Sequence, residues 1–427
     1  MATNESNTMN SRLTFADIAH QSISFRENIP HERMIVQLLD TPWVQRLRDI
    51  SQTANTRLVY MFSEHSRFGH SLGVAHLACM VMEILSSEHA EEIAPFREAV
   101  AGAALLHDIG HLAPGSHTAF KTWFPSIDDC HEQISKRILK EDKVIREILG
   151  SHADSVAKIL SEDGSLPPWT WQTISGGGWN VDRGNWCIID SVLAGVNYGQ
   201  YNIPALIESI VLTQDKQLAL RENRLDAMMH FAISRQAMYR QVYQHRVILA
   251  IDTINRAIAK RARDTASDLP FSDETMRLVL RSDSPMQLPL EAISSMRESW
   301  WRYHILRWRD SRDRILSDLC DRLLNRRLFK TVRVSEDDSF PQLEDAARLA
   351  VERAGFDPRY YLHTVSTSDI NEGESRQSML VQMDDGRALT LGQSEPLFST
   401  MVRESSQSAK TWIVMPAEAK ELLGRAR

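Results

Sequence analysis

Histidine and aspartate recur in this chain at spacings that suit cation-assisted chemistry. The densest group lies in the stretch AVAGAALLHDIGHLAPGSH. There an apolar helix ends in adjacent His107 and Asp108, followed by His111 and, beyond a Pro114-Gly115 turn, by His117. A carboxylate and several imidazoles at the end of an apolar helix are costly to bury unless they are paired or hold a metal. Nitrogen with carboxylate oxygen suits a divalent Mn, Fe, Zn or Mg ion, and no cysteine stands nearby to select a softer one. His70 shares a helical face with Val74, Leu77 and Val81, so its ring points into the interior. Alone it would be an ordinary core histidine.

Two further groups add to this set. Asp128-Asp129-Cys130-His131-Glu132 opens a helix with an aspartate as the expected N-cap and with His131, Ile134 and Ile138 facing inward. After Gly176-Gly177-Gly178, the residues Asp182, Trp186 and Asp190 follow at helical spacing on one stripe. Asp182 reads equally well as a helix N-cap. A four-ligand set of two imidazoles and two carboxylates is complete only if Asp182 joins His70, His107 and Asp108.

The elements that must carry these residues are helical. From about Arg33 to Phe329 apolar residues recur at i, i+3, i+4 and i+7, with helices expected at roughly 129–149, 181–195, 203–214, 222–262 and 288–326. Val74, Leu77, Ala78, Val81 and Leu85 form one buried stripe, and Ala101, Ala104 and Leu105 mark a helix narrow enough for a core. After Phe329 short β-branched and aromatic segments appear at Thr331–Val334, Tyr360–Ser366, Ser378–Met383 and Thr411–Met415, around a helix at Phe340–Ala354. The expectation is a mainly α protein. It comprises a disordered N-terminal arm over 1–20, a helical core with a helical extension over 21–335, and a small mixed α/β region over 336–427.

Composition bounds the function. The 427 residues are 43% hydrophobic and 25% charged, with no run of 18 apolar residues, so no membrane span is expected. The N-terminus lacks the charged and apolar regions of a secretory signal, and Cys79, Cys130, Cys187 and Cys320 lie apart without a CxxC pair. A reducing cytoplasm is the expected location. A net charge of −7 argues against nucleic acid as a partner.

The series His70, His107-Asp108 and Asp182 resembles the H…HD…D signature of the HD-domain phosphohydrolases. The similarity narrows with Asp40-Thr-Pro-Trp-Val-Gln-Arg-Leu-Arg, Ser66-Arg-Phe-Gly-His70-Ser-Leu-Gly-Val, His107-Asp-Ile-Gly-His111, His131-Glu132, Val242-Tyr-Gln-His-Arg246 and Asp318–Phe329. In order and spacing these resemble the deoxynucleoside triphosphate triphosphohydrolase branch across roughly 35–335. The resemblance implies an HD-domain helical bundle with a small C-terminal α/β appendage. It makes His70, His107, Asp108 and Asp182 ligands of a divalent metal ion and leaves room for a second magnesium with the triphosphate. It places His111, His117 and His131 at the α-phosphate as acid/base or electrostatic partners, and Arg67, Arg183, Arg235 and Tyr243 on the phosphates. Gln52, Trp186 and Asp190 fall near the sugar. It further implies a nucleotide substrate, hydrolysed to a deoxynucleoside and inorganic triphosphate, a homo-oligomer and an allosteric nucleotide.

The chain departs from that pattern in places. The turn before His117 is one residue longer, and the acidic residue that orients a catalytic histidine is missing after it, with Asp128 or Asp129 as substitutes. Asn185-Trp186 stands where Asp-Tyr is usual, which bears on the choice between ribose and deoxyribose. The alternatives are an HD phosphohydrolase for other nucleotides, such as monophosphates or modified nucleotides, and a nucleotide sensor whose catalysis has decayed. Arginines 302, 307, 309, 312, 314, 322, 326 and 327 interleave with Trp300, Trp301 and Trp308. Pairing with Asp310, Asp313, Asp318 and Asp321, with the tryptophans in a subunit interface, is favoured over nucleotide or single-strand binding.

Overall fold

The short helix Arg97–Leu106 lies at the centre of the fold. Its sequence is nearly all alanine, leucine and valine, and every residue from Ala99 to Leu106 is buried. Small side chains let neighbours approach on every side: helix Arg67–Ile93, helix Pro30–Leu39 and helix Ala153–Ile159 all pack against it. Helix Val181–Leu193 lies on Arg67–Ile93 in turn, so the helix bearing His70 packs between the one bearing Asp182 and the one that His107 caps. In this computed structural model, residues 11–115, 119–335, 339–367, 379–406 and 410–426 are described.

The expected buried stripe from Val74 to Leu85 is buried throughout. By length and composition the run Arg67–Leu106 would pass for a membrane span, but 67% of its most apolar window is enclosed within the protein. It therefore behaves as core. The four cysteines are free thiols.

The protein is mainly α, with strands in three places. The expected disordered arm is corrected over 11–20: strands Arg12–Asp17 and Gln21–Arg26 form an antiparallel hairpin, anchored by the buried Ile23 and Phe25. Residues 1–10 lie outside the described set. The helix expected over 203–214 ends at Glu208, and strands Ile210–Leu212 and Leu218–Arg221 follow. Leu218–Arg221 then pairs in parallel with Leu380–Gln382, which pairs with Ala388–Thr390. The C-terminal region is mixed α/β as expected, but it is joined to the helical body by strand pairing and its sheets do not begin at 336. One of its hairpins completes a sheet started in the helical body, and the other sheet, of order 330–333, 411–415, 363–366, begins before the expected boundary. Local patterning marks each strand but carries no information on which distant strand it meets.

Three of the long expected helices are also broken, the 129–149 segment dividing at Asp142 into His131–Glu141 and Lys143–Leu149. The 222–262 segment divides into Asp226–Met238, a π-helical turn at Tyr239–Tyr243 and Arg246–Asp264, and 288–326 divides into Leu290–Ser295, Glu298–Trp308 and Arg314–Leu324. Among the described residues three of the eight arginines take the expected aspartates, Arg309 with Asp310, Arg322 with Asp318 and also Glu418, and Arg327 with Asp318 and Asp321, whereas Asp313 takes Arg261 instead. Trp301 and Trp308 belong to the core of this chain rather than to a subunit interface, at 2% and 0% exposure. Trp301 meets both Trp123 and Trp308, whereas Trp300, which also meets Trp123, stays partly exposed.

The loop that follows the central helix is pinned from below. Arg46, wholly buried, donates to the carbonyls of Ile109, His111, Ile293, Ser294 and Met296, so its cation is spread over backbone acceptors on two segments. Glu298 accepts from the Gly115 backbone at 2.6 Å, and Trp123 Nε1 donates to the Ala113 carbonyl at 2.7 Å. A histidine-bearing loop held by so many hydrogen bonds has its backbone fixed before any ligand arrives.

Candidate metal centre and cleft

His70 and His107 meet through their Nε2 atoms at 3.3 Å, and the other nitrogen of each ring is already engaged. His107 Nδ1 donates to the Ala104 carbonyl at 2.9 Å, and His70 Nδ1 pairs with Asn185 Oδ1 at 2.8 Å. With Nδ1 engaged in each ring, Nε2 is the nitrogen of each that faces the shared point and that would give its lone pair to a cation. Asp182 Oδ1 lies 3.0 Å from His70 Nε2 and 3.7 Å from His107 Nε2. Asp108 brings Oδ2 to 3.7 Å from His70 Nε2 and Oδ1 to 3.4 Å from His107 Nε2. Two carboxylates beside two imidazoles need positive charge among them, which a proton on His107 or a bound cation supplies. The donor set fits a divalent ion of the Mn, Fe, Zn or Mg kind.

Protons respond to the same field. Burial resists ionisation of His107, but Asp108 and Asp182 outweigh it and hold the imidazolium up to about 9. Burial pushes both carboxyls up, yet Arg67, His107 and His111 around Asp108, and His107 and His70 beside Asp182, hold them below the usual carboxylate range. Asp182 is not the helix cap: Asn180 fills that position, its side chain accepting from the Arg183 backbone. This leaves the Asp182 carboxylate, one-third exposed, at the edge of the site.

A second group adjoins the first through Asp108. His111 Nε2 lies 3.3 Å from Asp108 Oδ1, and the His111 ring stacks on His131 at 4.0 Å and 14°. Parallel rings aim their nitrogens side by side, so this pair is poorly arranged to converge on one ion although Asp108, His111 and His131 lie close enough. Burial pushes His111 well below its ordinary pKa, with Arg67 and His131 adding to it. His131 moves the opposite way. Burial opposes its charge, but Asp129, whose Oδ1 is 2.7 Å from Nδ1, overcomes that and raises it. Cys130 is the helix N-cap and offers no side-chain bond, so the expected aspartate cap is corrected. Asp129 instead accepts from the His131 backbone and orients its ring.

Helix His131–Glu141 reaches the loop because residue 110 is glycine. A Cβ there would stand 2.0 Å from the His131 carbonyl oxygen and 2.7 Å from the Ser135 nitrogen. Ser135 Oγ bridges the two segments, accepting from Gly110 N and donating to the His107 carbonyl.

A cleft of about 400 Å³ opens onto this centre, with His107, His131, Glu132, Asn180, Asp182 and Arg183 among its walls. Arg183 donates to the Gly177 carbonyl at the cleft. Arg67 is buried and donates to Asp108 at 2.6 Å, while its Nε has no partner among the described residues. The other expected substrate residues form a neighbouring cluster. Asp190 holds His65 Nε2 at 2.6 Å and Tyr243 Oη at 2.5 Å, Trp186 meets Tyr239 and Tyr243 edge-on, and Arg235 lies over Tyr239. The amide oxygen of Gln52 and Nδ1 of His65 are buried there without a hydrogen-bond partner among the described residues. His117 lies outside the described residues. His65 carries no signal in the sequence, and Asn185 shows there only as a departure beside Trp186; their partners 125 and 115 positions away give them meaning.

A helical bundle that closes two histidines and two aspartates around one point defines a class, and a match to the HD domain family covers residues 67–176. The chain carries an HD domain. It is 29% identical over 357 residues to the uncharacterized protein YwfO of Bacillus subtilis, covering 83% of this chain and 80% of that one. It is 37% identical over 123 residues to the deoxynucleoside triphosphate triphosphohydrolase SAMHD1 homolog of Dictyostelium discoideum, a segment spanning 28% of this chain and 23% of that protein. A crystal structure of a phosphohydrolase from Bacteroides thetaiotaomicron has the same fold, with a TM-score of 0.82, 21% identity and coverage of 95% of this chain and 100% of that one.

Proposed function

We propose that the protein is a metal-dependent phosphohydrolase that cleaves deoxynucleoside triphosphates to a deoxynucleoside and inorganic triphosphate. The observation that carries this is the convergence of His70 Nε2, His107 Nε2, Asp108 and Asp182 on one point beside a polar cleft. The partial match to deoxynucleoside triphosphate triphosphohydrolases supports the substrate class. A divalent ion held by these four residues would activate water and draw charge from a phosphoryl oxygen.

The remaining chemistry falls to side chains of this chain. Arg183 at the cleft and the buried Arg67 are the cations for phosphate oxygens, acting where little water screens them. His131 keeps its proton through Asp129 and is the donor to a leaving oxygen. His111, stacked on it and driven neutral by burial, bears no charge to repel that proton. Gln52, Asp190 and Trp186 form the sugar side, and Arg235 and Tyr243 extend the wall that holds the phosphates. His117 is a further acid/base candidate. A homo-oligomer and an allosteric nucleotide belong to the same proposal.

The test is product analysis over ribo- and deoxynucleoside mono-, di- and triphosphates with added metal. Inorganic triphosphate from deoxynucleoside triphosphates is expected. Monophosphate cleavage alone, or no turnover by metal-replete protein, would refute the substrate assignment. Comparable kcat/KM for matched ribo and deoxy substrates would overturn the sugar preference assigned to Trp186, a ring that can crowd a 2′-hydroxyl but lacks a phenolic partner for it.

A further inference from the structure

The tip of the N-terminal hairpin reaches the metal centre through one side chain. Asn185 is fully buried, and its amide is used at both ends: Oδ1 faces His70 Nδ1 at 2.8 Å and Nδ2 faces His20 Nε2 at 2.9 Å. His20 is the last residue of the hairpin turn, whose shape is set by the Asp17 carboxylate accepting from the Ala19 and His20 backbones at 2.9 and 2.7 Å. The His20 ring also meets the edge of His76, on the same helix as His70, at 5.4 Å. Space for the amide is made by Gly73, one turn beyond His70: a Cβ at that position would lie 2.0 Å from Asn185 Nδ2.

An amide has a donor end and an acceptor end, so its orientation decides which nitrogen of His70 carries the proton. With Oδ1 toward His70, Nδ1 holds the hydrogen and Nε2 presents a lone pair to the cation. Turned over, the amide would donate to Nδ1, the proton would move to Nε2, and His70 could no longer ligate. His20 supplies the acceptor that holds the NH2 group outward.

Resting on the metal-centre reading above, we propose that His20 and Asn185 are positioning residues that fix His70 in its metal-binding tautomer, which makes the N-terminal hairpin part of the metal site. Outer groups of this kind set both ring orientation and ligand basicity. His20 acts only through Asn185, so the two contributions are coupled rather than additive.

The experiment is Co2+ titration against a competing chelator on the full chain, with the d–d spectrum recorded and the metal-free melting temperature measured alongside. Asn185→Ala should weaken Co2+ binding by roughly 10–100-fold. His20→Phe, at a half-exposed turn, should weaken it by about 2–10-fold, the worth of one hydrogen bond. His20→Gln, which restores an acceptor, should recover most of that loss. The double variant Asn185→Ala/His20→Phe should bind no more weakly than Asn185→Ala alone. Native affinity in His20→Phe, no recovery in His20→Gln, or additive losses in the double variant would overturn the proposal while leaving the metal centre standing. A native chain that takes up no Co2+ would overturn the metal centre itself. Should Asn185→Ala not fold, the His20→Phe and His20→Gln pair decides the matter.

Discussion

Substitution of Gly110 by alanine isolates the placement of His131 from the metal ligands. The new methyl would stand 2.0 Å from the His131 carbonyl oxygen, against 3.4 Å or more for an ordinary contact, so one side must retreat by about 1.4 Å. The loop is the stiffer side, because Arg46 holds the carbonyls of Ile109 and His111. Helix His131–Glu141 buries only Ile134, Ser135, Ile138 and Leu139 and is the side that yields. Its retreat stretches the Ser135 bridge and draws His131 from His111. Overpacking of this kind costs about 1–3 kcal/mol of stability. Misplacing a reacting group by that distance costs about 10²-fold in rate. Steady-state kcat on a deoxynucleoside triphosphate, metal content by elemental analysis and thermal melting would be measured together. The expectation is a kcat lower by about 10²-fold with metal retained. Unchanged kcat would refute the role of His131, and loss of metal would show that the loop had yielded instead.

Three further outcomes are expected. Asp108→Ala should abolish both bound metal and hydrolysis while circular dichroism stays helical; its melting temperature should fall, since Arg67 is left buried without its carboxylate and the metal no longer favours the native state. Asp129→Asn removes the carboxylate that keeps His131 protonated, so its pKa falls and the alkaline limb of the kcat–pH profile should move to lower pH; an unmoved limb would assign the acid to another group. Metal binding must displace the proton that His107 holds up to about 9, so apparent affinity should rise with pH until about 9 and level off above it, which isothermal titration in buffers of different ionisation enthalpy would read as proton release.

The sequence by itself determined the helical nature of the core and the chemistry-bearing residue types. Apolar periodicity depends on neighbours three and four positions away, and the helices over 67–93, 97–106 and 181–193 follow from it. The same local logic marked His107 and Asp108, because polar groups at the end of an all-apolar helix demand a partner. Asp182 was different: a cap and a ligand look alike in one dimension, and only Asn180 taking the cap in space released it. Tertiary structure chose Asp129 over Asp128, both offered by the sequence, as the residue that serves His131, and it alone decided that Ser135 ties its helix to the loop and that Asn185 and His20 stand behind His70. It also decided that Leu218–Arg221 takes a strand from beyond residue 379. Each of these joins groups through hydrogen bonds whose geometry depends on how separate elements pack, and packing is a property of the whole chain that no local pattern of residues encodes.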